Sequence, residues 1–218
     1  IDNSNVWRLL KRWGLTNQKP ERRALEQNPR EAKRWLREEW PKIQAHARRW
    51  QAMLYFQAEA GISLTAVLGK TWAPKGKTPI VRVTGNRGGF CVSSAISPAG
   101  RLLFRIEKGR VNADKFVDFL SKILKHHKNR KVIVVMDRAP VHTAGKVTVF
   151  VEQNKKRFAA YYLPPYSPEL NPDESVWAHL KEHKLKTHQA QTVVQLKAMT
   201  LAGMKSIQMR PFLVQSFF

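Results

Sequence analysis

The run KVIVVMD, residues 131–137, constrains the fold more than any other stretch of the chain. Its successive apolar residues show no polar alternation, which marks a strand buried on both faces, and such a strand needs helices above and below it. The flanking sequence supplies them. Before it, NADKFVDFLSKILKHH places Phe116, Phe119, Leu120, Ile123 and Leu124 at helical spacing. After it, VHTAGKVTVFVEQN reads as a second helix and FAAYYLP as a further strand. A helix-strand-helix-strand series of this kind predicts a mixed α/β sheet.

The segments upstream have a different character. LYFQAEAGISL, TPIVRVTG, GGFCVSSAISPAG and RLLFRIEKG are short strand-like runs separated by Gly and Pro, and together predict a four-stranded antiparallel meander. Ahead of these, PREAKRWLREEW suits a helix that Pro41 ends, with PKIQAHARRW starting another; Trp35, Leu36, Trp40, Ile43 and Trp50 form the expected buried stripe. SNVWRLLKRWG is a short amphipathic helix with Val6, Leu9, Leu10 and Trp13 on one face, Arg8, Lys11 and Arg12 on the other, and Gly14 at its end. LTNQKPERRALEQNP reads as a linker, so residues 1–28 separate from a main domain over 29–218. The tail, DESVWAHLKEH through TVVQLKAMTLAGMKSI, predicts two helices. Ile1 in place of Met reads as the start of a fragment or processed product.

A chain of 218 residues with 43% hydrophobic content suffices for one sizeable core. No apolar run approaches the roughly 18–20 residues that cross a bilayer, and no secretory leader is visible, so a soluble, intracellular protein without a membrane partner is expected. The lone Cys91 excludes an intrachain disulfide and a Cys-rich zinc site, and its apolar setting places it in the core. The net charge is +23, with 13 basic against 6 acidic residues in 1–50, 15 against 5 in 51–137, and 11 against 5 in 138–218. An excess spread along the whole chain suits a folded face lying on phosphate backbone better than a localisation tail. A ribosome-like RNA binder and a membrane-surface protein are the alternatives on charge alone.

Two carboxylates hold informative places. Asp137 ends the buried strand, where open α/β sheets put their ligand sites, although an Asp there also caps turns. Glu174 lies in YSPELNPDESVWAHL, where Asn171, Pro172 and Glu174 equally fit the N-cap, first turn and capping-box partner of a helix. Carboxylates gathered at one sheet end in a basic protein suit magnesium-dependent phosphodiester chemistry, because hard cations take oxygen ligands. Two ions about 4 Å apart can activate the attacking oxygen and stabilise the leaving one, and a third carboxylate is then needed. Candidates lie on the first strand. By alternation Leu54, Phe56 and Ala58 share one face, and Tyr55, Gln57 and Glu59 the other.

The order of LYFQAEAG, TWAPKGKTP, VVMDRAPVH and LPPYSPELNPDESVW resembles the catalytic domain of DDE transposases of the mariner superfamily, in particular the bacterial insertion-sequence branch. The match covers roughly residues 50–190, and the N-terminal helix resembles the end of that family's helix-turn-helix region. The resemblance implies an α/β, ribonuclease-H-like mixed sheet flanked by helices, two Mg2+ or Mn2+ ions per active site, and double-stranded DNA, both transposon ends and target, as partner. It also implies strand cleavage followed by strand transfer, a homodimer when assembled on DNA, and a bacterial cytoplasmic, nucleoid-associated setting. Asp137 takes the place of the second catalytic Asp and Glu174 that of the third carboxylate.

The first catalytic Asp is missing, because the family's Asp-Glu-Ala-Gly reads Ala-Glu-Ala-Gly at 58–61. Ala58 therefore predicts a chain that binds DNA and cleaves it very poorly; with the other motifs intact, it reads as an engineered substitution rather than natural decay. Glu59 is expected to point away from Asp137 and to pair with a Lys or Arg. Arg138 stands where the family has Asn, and added attraction for phosphate is the only role it suggests. His142 is expected either to touch the scissile phosphate or to hold the Asp137 loop. Lys75, in a turn with Trp72 and Gly76, joins Arg8, Lys11, Arg12, Arg22, Arg23, Arg138 and His142 as the DNA-contacting set. The Pro164–Pro168 turn aims the helix that bears Glu174. A transposase-derived regulator, a different ribonuclease-H-like nuclease and a structural RNA binder are the competing readings.

Overall fold

The structure, a computed structural model, describes residues 3–16, 25–65, 74–77, 80, 83–107, 109–186 and 188–218. In chain order it contains α1 (Asn3–Arg12), α2 (Pro29–Trp50), β1 (Met53–Ser63), β2 (Gly89–Ser97), β3 (Arg101–Ile106), α3 (Ala113–His126) and β4 (Val132–Met136). There follow α4 (Gly145–Gln153), β5 (Phe158–Tyr162), α5 (Asp173–His183), α6 (Val193–Gln208) and α7 (Pro211–Gln215). The strands form one sheet in the order β3-β2-β1-β4-β5. β1 and β2, and β2 and β3, run antiparallel, whereas β1–β4 and β4–β5 are parallel.

Strand β4 is fully buried from Val132 to Met136, and its two faces meet different helices. Val132, Val134 and Met136 pack with Phe116, Phe119, Leu120 and Ile123 of α3 and with Val147 and Phe150 of α4. Ile133 and Val135 pack with Trp35 and Ile43 of α2. Further along that second face, Ala58, Ala60 and Ile62 of β1 pack with Val176, Trp177 and Leu180 of α5 and with α6. Helix layers on both sides explain why β4 needs no polar alternation.

Helix α2 corrects one expectation, because Pro41 lies inside a single helix of 22 residues and does not divide two. An interior proline removes one backbone hydrogen bond and costs about 3 kcal/mol. The aromatic stripe runs across it and offsets that cost: Trp35 and Trp40 stack at 5.8 Å, Trp40 meets Phe56 at 5.5 Å, and Trp35 Nε1 donates to Tyr162 O at 3.0 Å. Leu36 is not part of the stripe and is exposed, because it lies one position round the helix from Trp35. The N-terminus is capped by Asn28, whose Oδ1 accepts from the backbone of Arg30 and Glu31, with Pro29 in the first turn.

The meander has three strands among the described residues, not four. β1 pairs directly with β2 from Phe56↔Ile96 to Ser63↔Gly89, which leaves no gap for a strand from TPIVRVTG. Of that run, Ile80, Val83, Thr84 and Gly85 form no strand, and the rest lies outside the described residues. Cys91 is half-buried rather than core, because its cross-strand neighbour Gly61 has no side chain to cover it. The tail adds α7, too short for a periodicity to reveal. It closes on the β2–β3 turn, where Gly100 has φ +76 and a Cβ would lie 2.8 Å from Pro211 O. Helix α1 forms and is followed by Gly14 at φ +72, yet Trp7 on it and Trp13 just past it are 61% and 64% exposed. Its apolar stripe has no cover among the described residues. No helix among them is long and apolar enough to cross a membrane.

Candidate active site

The parallel pairing of β1 with β4 runs from Met53↔Val132 to Phe56↔Val135. Continued by two residues, that register sets position 58, midway along β1, beside position 137, just past the carboxyl end of β4. Ala58 is buried and turns its methyl towards α5. Asp137, just beyond β4, is 60% exposed at its side chain. Together with Arg138, Pro164, Tyr166, Asn171 and Glu174 it lines a cleft of about 380 Å³.

Two buried polar side chains fix the start of α5 onto β1. Asn171 Nδ2 donates to Gln57 O at 2.9 Å while its Oδ1 accepts from Asp173 N at 3.2 Å. Asp173 Oδ2 accepts from Ala58 N at 2.8 Å and from Ser94 Oγ at 2.6 Å. The chain reaches this point through the Pro-rich turn, in which Tyr166 takes φ +52 and Ser167 Oγ donates to Pro165 O at 3.1 Å. Asn171 thus serves β1 as well as the helix start, and Glu174 is free of the capping-box role: it lies exposed at the cleft. Burial pushes the Asp173 carboxyl well above its ordinary range, against the bonds from Ser94 and Ala58 and with the charges of Glu174 and Glu59 adding to it. Its Oδ1 has no protein partner. Glu174 is raised as well, by the partial loss of solvent around it and by the charges of Asp137 and Glu59, with Lys181 opposing.

His142 joins the two central strands. Its fully buried ring lies between carboxylates, with Nδ1 2.6 Å from Asp137 Oδ1 and Nε2 3.0 and 3.1 Å from the two oxygens of Glu59. Phe116 packs on the ring at 4.2 Å between centroids, and Tyr162 Oη donates to the His142 carbonyl at 3.1 Å. Burial alone would lower its pKa; the bonds and charges of Asp137 and Glu59 outweigh this and push it up to about 9, so the ring is an imidazolium that donates from both nitrogens. Asp137 is held below the ordinary carboxylate range because the bonds from His142 and from Ala139 N at 2.8 Å outweigh the desolvation that would raise it.

The expectation for Glu59 is corrected in part. It does lie on the strand face opposite Ala58, but its partners are His142 and Gln57 Nε2 at 2.9 Å, not a Lys or Arg, and through His142 it reaches Asp137. Strand parity gave its face, while the bridging imidazole comes from a loop 83 residues away. Of the two roles open to His142, contact with a phosphate is closed to a ring with no exposed surface. Asn171 had a signal in the sequence only as a capping residue, and Asp173 had none. Arg138 is exposed, with its guanidinium 5.3 Å from the centre of the Tyr162 ring, at the cleft wall. Lys75 is exposed in a turn with Gly76 at φ +81 and does not line the cleft; Trp72, Arg22 and Arg23 lie outside the described residues. Arg8, Lys11 and Arg12 are exposed on α1, Lys11 Nζ lying 5.4 Å from the centre of the Trp7 ring, and are not in the cleft.

For a divalent cation the donors fit in kind and fall short in number. Asp137 and Glu174 offer oxygens only, as Mg2+ and Mn2+ prefer. Among the described residues lining the cleft Arg138 is the one cation, and Lys181 on α5 is the cation that opposes the rise at Glu174. Position 58, in register beside Asp137, carries a methyl group and offers no oxygen. Among the described residues no cluster of three or more His, Cys, Asp or Glu is placed to hold a metal.

A mixed five-stranded sheet in this order, flanked by helices on both faces and with acidic residues at the ends of its central region, is a ribonuclease-H-like fold of the kind found in transposases. The profile described as DDE superfamily endonuclease matches residues 53–197, and the chain belongs to that family. A second profile, described as winged helix-turn helix, matches residues 2–39. The chain is 22% identical over 144 residues to the insertion element IS630 uncharacterized 39 kDa protein of Shigella sonnei, across 66% of this chain and 42% of that one. It therefore spans less than half the length of that curated relative. Among solved structures, the Mos1 mariner paired end complex with Mn superposes with a TM-score of 0.64 at 17% identity, over 100% of this chain and 71% of that one. The catalytic domain of Mos1 mariner transposase gives 0.52 at 18% identity, over 92% and 98%.

Proposed function

We propose that this chain is the catalytic part of a DNA transposase, built to cut DNA strands at transposon ends and join the freed 3′-hydroxyl to target DNA. The observation that carries the reading is that Asp137 and Glu174 line one cleft, with position 58 in register beside Asp137, in a chain with net charge +23. Family membership and the fold support it, and so do the Mos1 transposase structures, which include complexes with a transposon end, with Mg and with Mn. Asp137 and Glu174 would hold the cation. When bound, two Mg2+ or Mn2+ ions would activate the attacking oxygen and stabilise the leaving one.

The chain's own residues do the rest of the work. His142 orients Asp137; Asn171 and Asp173 hold the start of α5, and so Glu174, against β1. Arg138 adds positive charge at the cleft wall for a phosphate, and Arg8, Lys11 and Arg12, with Arg22, Arg23 and Lys75, supply sequence-independent attraction to duplex DNA. We divide the chain into the end of a helix-turn-helix region up to residue 28 and a catalytic domain from 29, with two copies pairing on two DNA ends.

Ala58 removes one of three carboxylate ligands, so the chain is expected to bind end-sequence duplex and to nick it very poorly. The same residue favours a second reading, a non-catalytic DNA-binding regulator descended from a transposase. Cleavage of end-sequence duplex by this chain and by Ala58→Asp, each with Mg2+ and with Mn2+, separates the two. Cleavage restored in the variant supports the transposase. Binding without cleavage in both favours the regulator, and strong nicking by the unaltered chain would overturn the role given to position 58.

A further inference from the structure

We propose that Glu59 is a positioning residue for Asp137, acting through His142, and that it leaves Asp137 a single oxygen, Oδ2, to face a divalent cation. The proposal rests on the reading of Asp137 as a metal ligand given above.

Asp137 needs such a device because of where it stands. It lies beyond the last ladder pair of β4, in a segment without regular structure, and most of its side chain is open to solvent. A carboxylate in that position rotates about two side-chain torsions unless its oxygens are held. Oδ1 is held twice, by Ala139 N at 2.8 Å and by His142 Nδ1 at 2.6 Å. Both bonds come from the same loop, so they fix the carboxylate only relative to that loop.

Glu59 ties the loop to the sheet. Its backbone is in β1 opposite Ser93, and Gln57 Nε2 donates to its Oε1. Both its oxygens lie within 3.1 Å of His142 Nε2, so the far end of the imidazole is anchored to a strand flanked by β2 and β4. Phe116 packs against the ring at 4.2 Å between centroids and restricts it from that side. The chain of contacts runs strand, carboxylate, imidazole, carboxylate, cleft. With Oδ1 accepting two hydrogen bonds, Oδ2 is the oxygen left for a cation, and its direction is set by β1. Glu59 is not a ligand itself: it lies on the face opposite position 58, and His142 occupies both of its oxygens. Partners of this kind, one shell behind a metal ligand, change metal affinity by roughly 10–100-fold when removed.

The test uses Mn2+ alone as probe, titrated by electron paramagnetic resonance into the full chain and its Ala58→Asp version, with Glu59→Asp, Glu59→Gln and Asp137→Asn introduced into each. Glu59→Asp keeps the charge but is one methylene too short to reach His142. Its Mn2+ affinity is expected to fall about tenfold or more, with an unchanged circular dichroism spectrum and loss of the His142 Nε2–H resonance in proton NMR of the metal-free protein. Glu59→Gln keeps the length and one acceptor oxygen, and its affinity is expected to fall several-fold; it carries the test if the shorter variant does not fold. Unchanged affinity in a folded Glu59→Asp protein overturns the positioning role, and so does a loss confined to Glu59→Gln, which would indicate charge alone. Asp137→Asn separates the two levels of the argument. If it leaves Mn2+ binding intact, the metal-site reading itself fails; if it abolishes binding while Glu59→Asp does not, only the role of Glu59 fails.

Discussion

At position 58 a methyl group stands in register beside Asp137 while its backbone N–H bonds to Asp173, and the consequences of returning a carboxylate there follow from that setting. Asp173 already bonds to Ala58 N, and Asp137 and Glu174 lie at the same cleft. Without metal, Ala58→Asp adds like charge and is expected to lower stability by about 1 kcal/mol or more. Mn2+ should then raise the melting temperature of the variant more than that of the unaltered chain, because a ligand that binds only the folded state stabilises it. His142 gives a second prediction at this scale. Its folded pKa of about 9 lies above the ordinary value near 6.5, so its contribution is fully present below about 6.5 and is lost as pH rises through 9. Urea midpoints measured from pH 7 to pH 10 should fall by the equivalent of about 2–3 kcal/mol in this chain, and less in His142→Gln.

At the scale of elements, α2 and α5 show how tertiary contacts overrule or reuse local signals. Pro41 is exposed inside α2, and its missing N–H leaves one helical carbonyl unbonded. Pro41→Ala is expected to raise the unfolding free energy by about 1–3 kcal/mol in denaturant titrations, the unfolded chain's gain in freedom offsetting part of the recovered bond. Helix α5 depends instead on a buried acid. Asp173→Ala leaves Ala58 N–H and Ser94 Oγ–H without their acceptor and should cost about 1–3 kcal/mol. Asp173→Asn keeps an acceptor oxygen and should cost less. Because burial raises the Asp173 carboxyl, its contribution is fullest below the ordinary aspartate pKa and declines as pH rises. The advantage of the native residue over Asn should therefore be greater at pH 4 than at pH 7.

For the whole molecule the dominant quantity is the charge of +23. Exposed Arg30, Lys33, Arg34 and Arg37 on α2 and Arg8, Lys11 and Arg12 on α1 are its described N-terminal part. Duplex affinity measured by fluorescence anisotropy should fall by about 10³ or more between 50 and 200 mM salt if 6–10 phosphates are contacted. The same slope is expected for Ala58→Asp, since position 58 is buried and touches no backbone phosphate. A flat salt response would count against a phosphate-bound face.

What the sequence determined by itself is whatever a local pattern can hold. The unbroken apolar run of β4, the helical spacing of α3 and the alternation in β1 report burial directly, because each residue's exposure follows from its place in a period. That was enough to place Ala58 and Glu59 on opposite faces, and motif order was enough to set Ala58, Asp137 and Glu174 together as the group to look for. Only the tertiary structure decided which distant groups meet those faces. Glu59 finds an imidazole instead of a Lys or Arg because His142 folds back beneath Asp137. Asp173 becomes a buried staple because the α5 terminus comes down on the Ala58–Ser94 pair. Pro41 stays inside a helix because Trp35, Trp40 and Ile43 pack on the sheet from both sides of it. In each case the energy comes from a contact between residues far apart in the chain, and no window of sequence contains both partners.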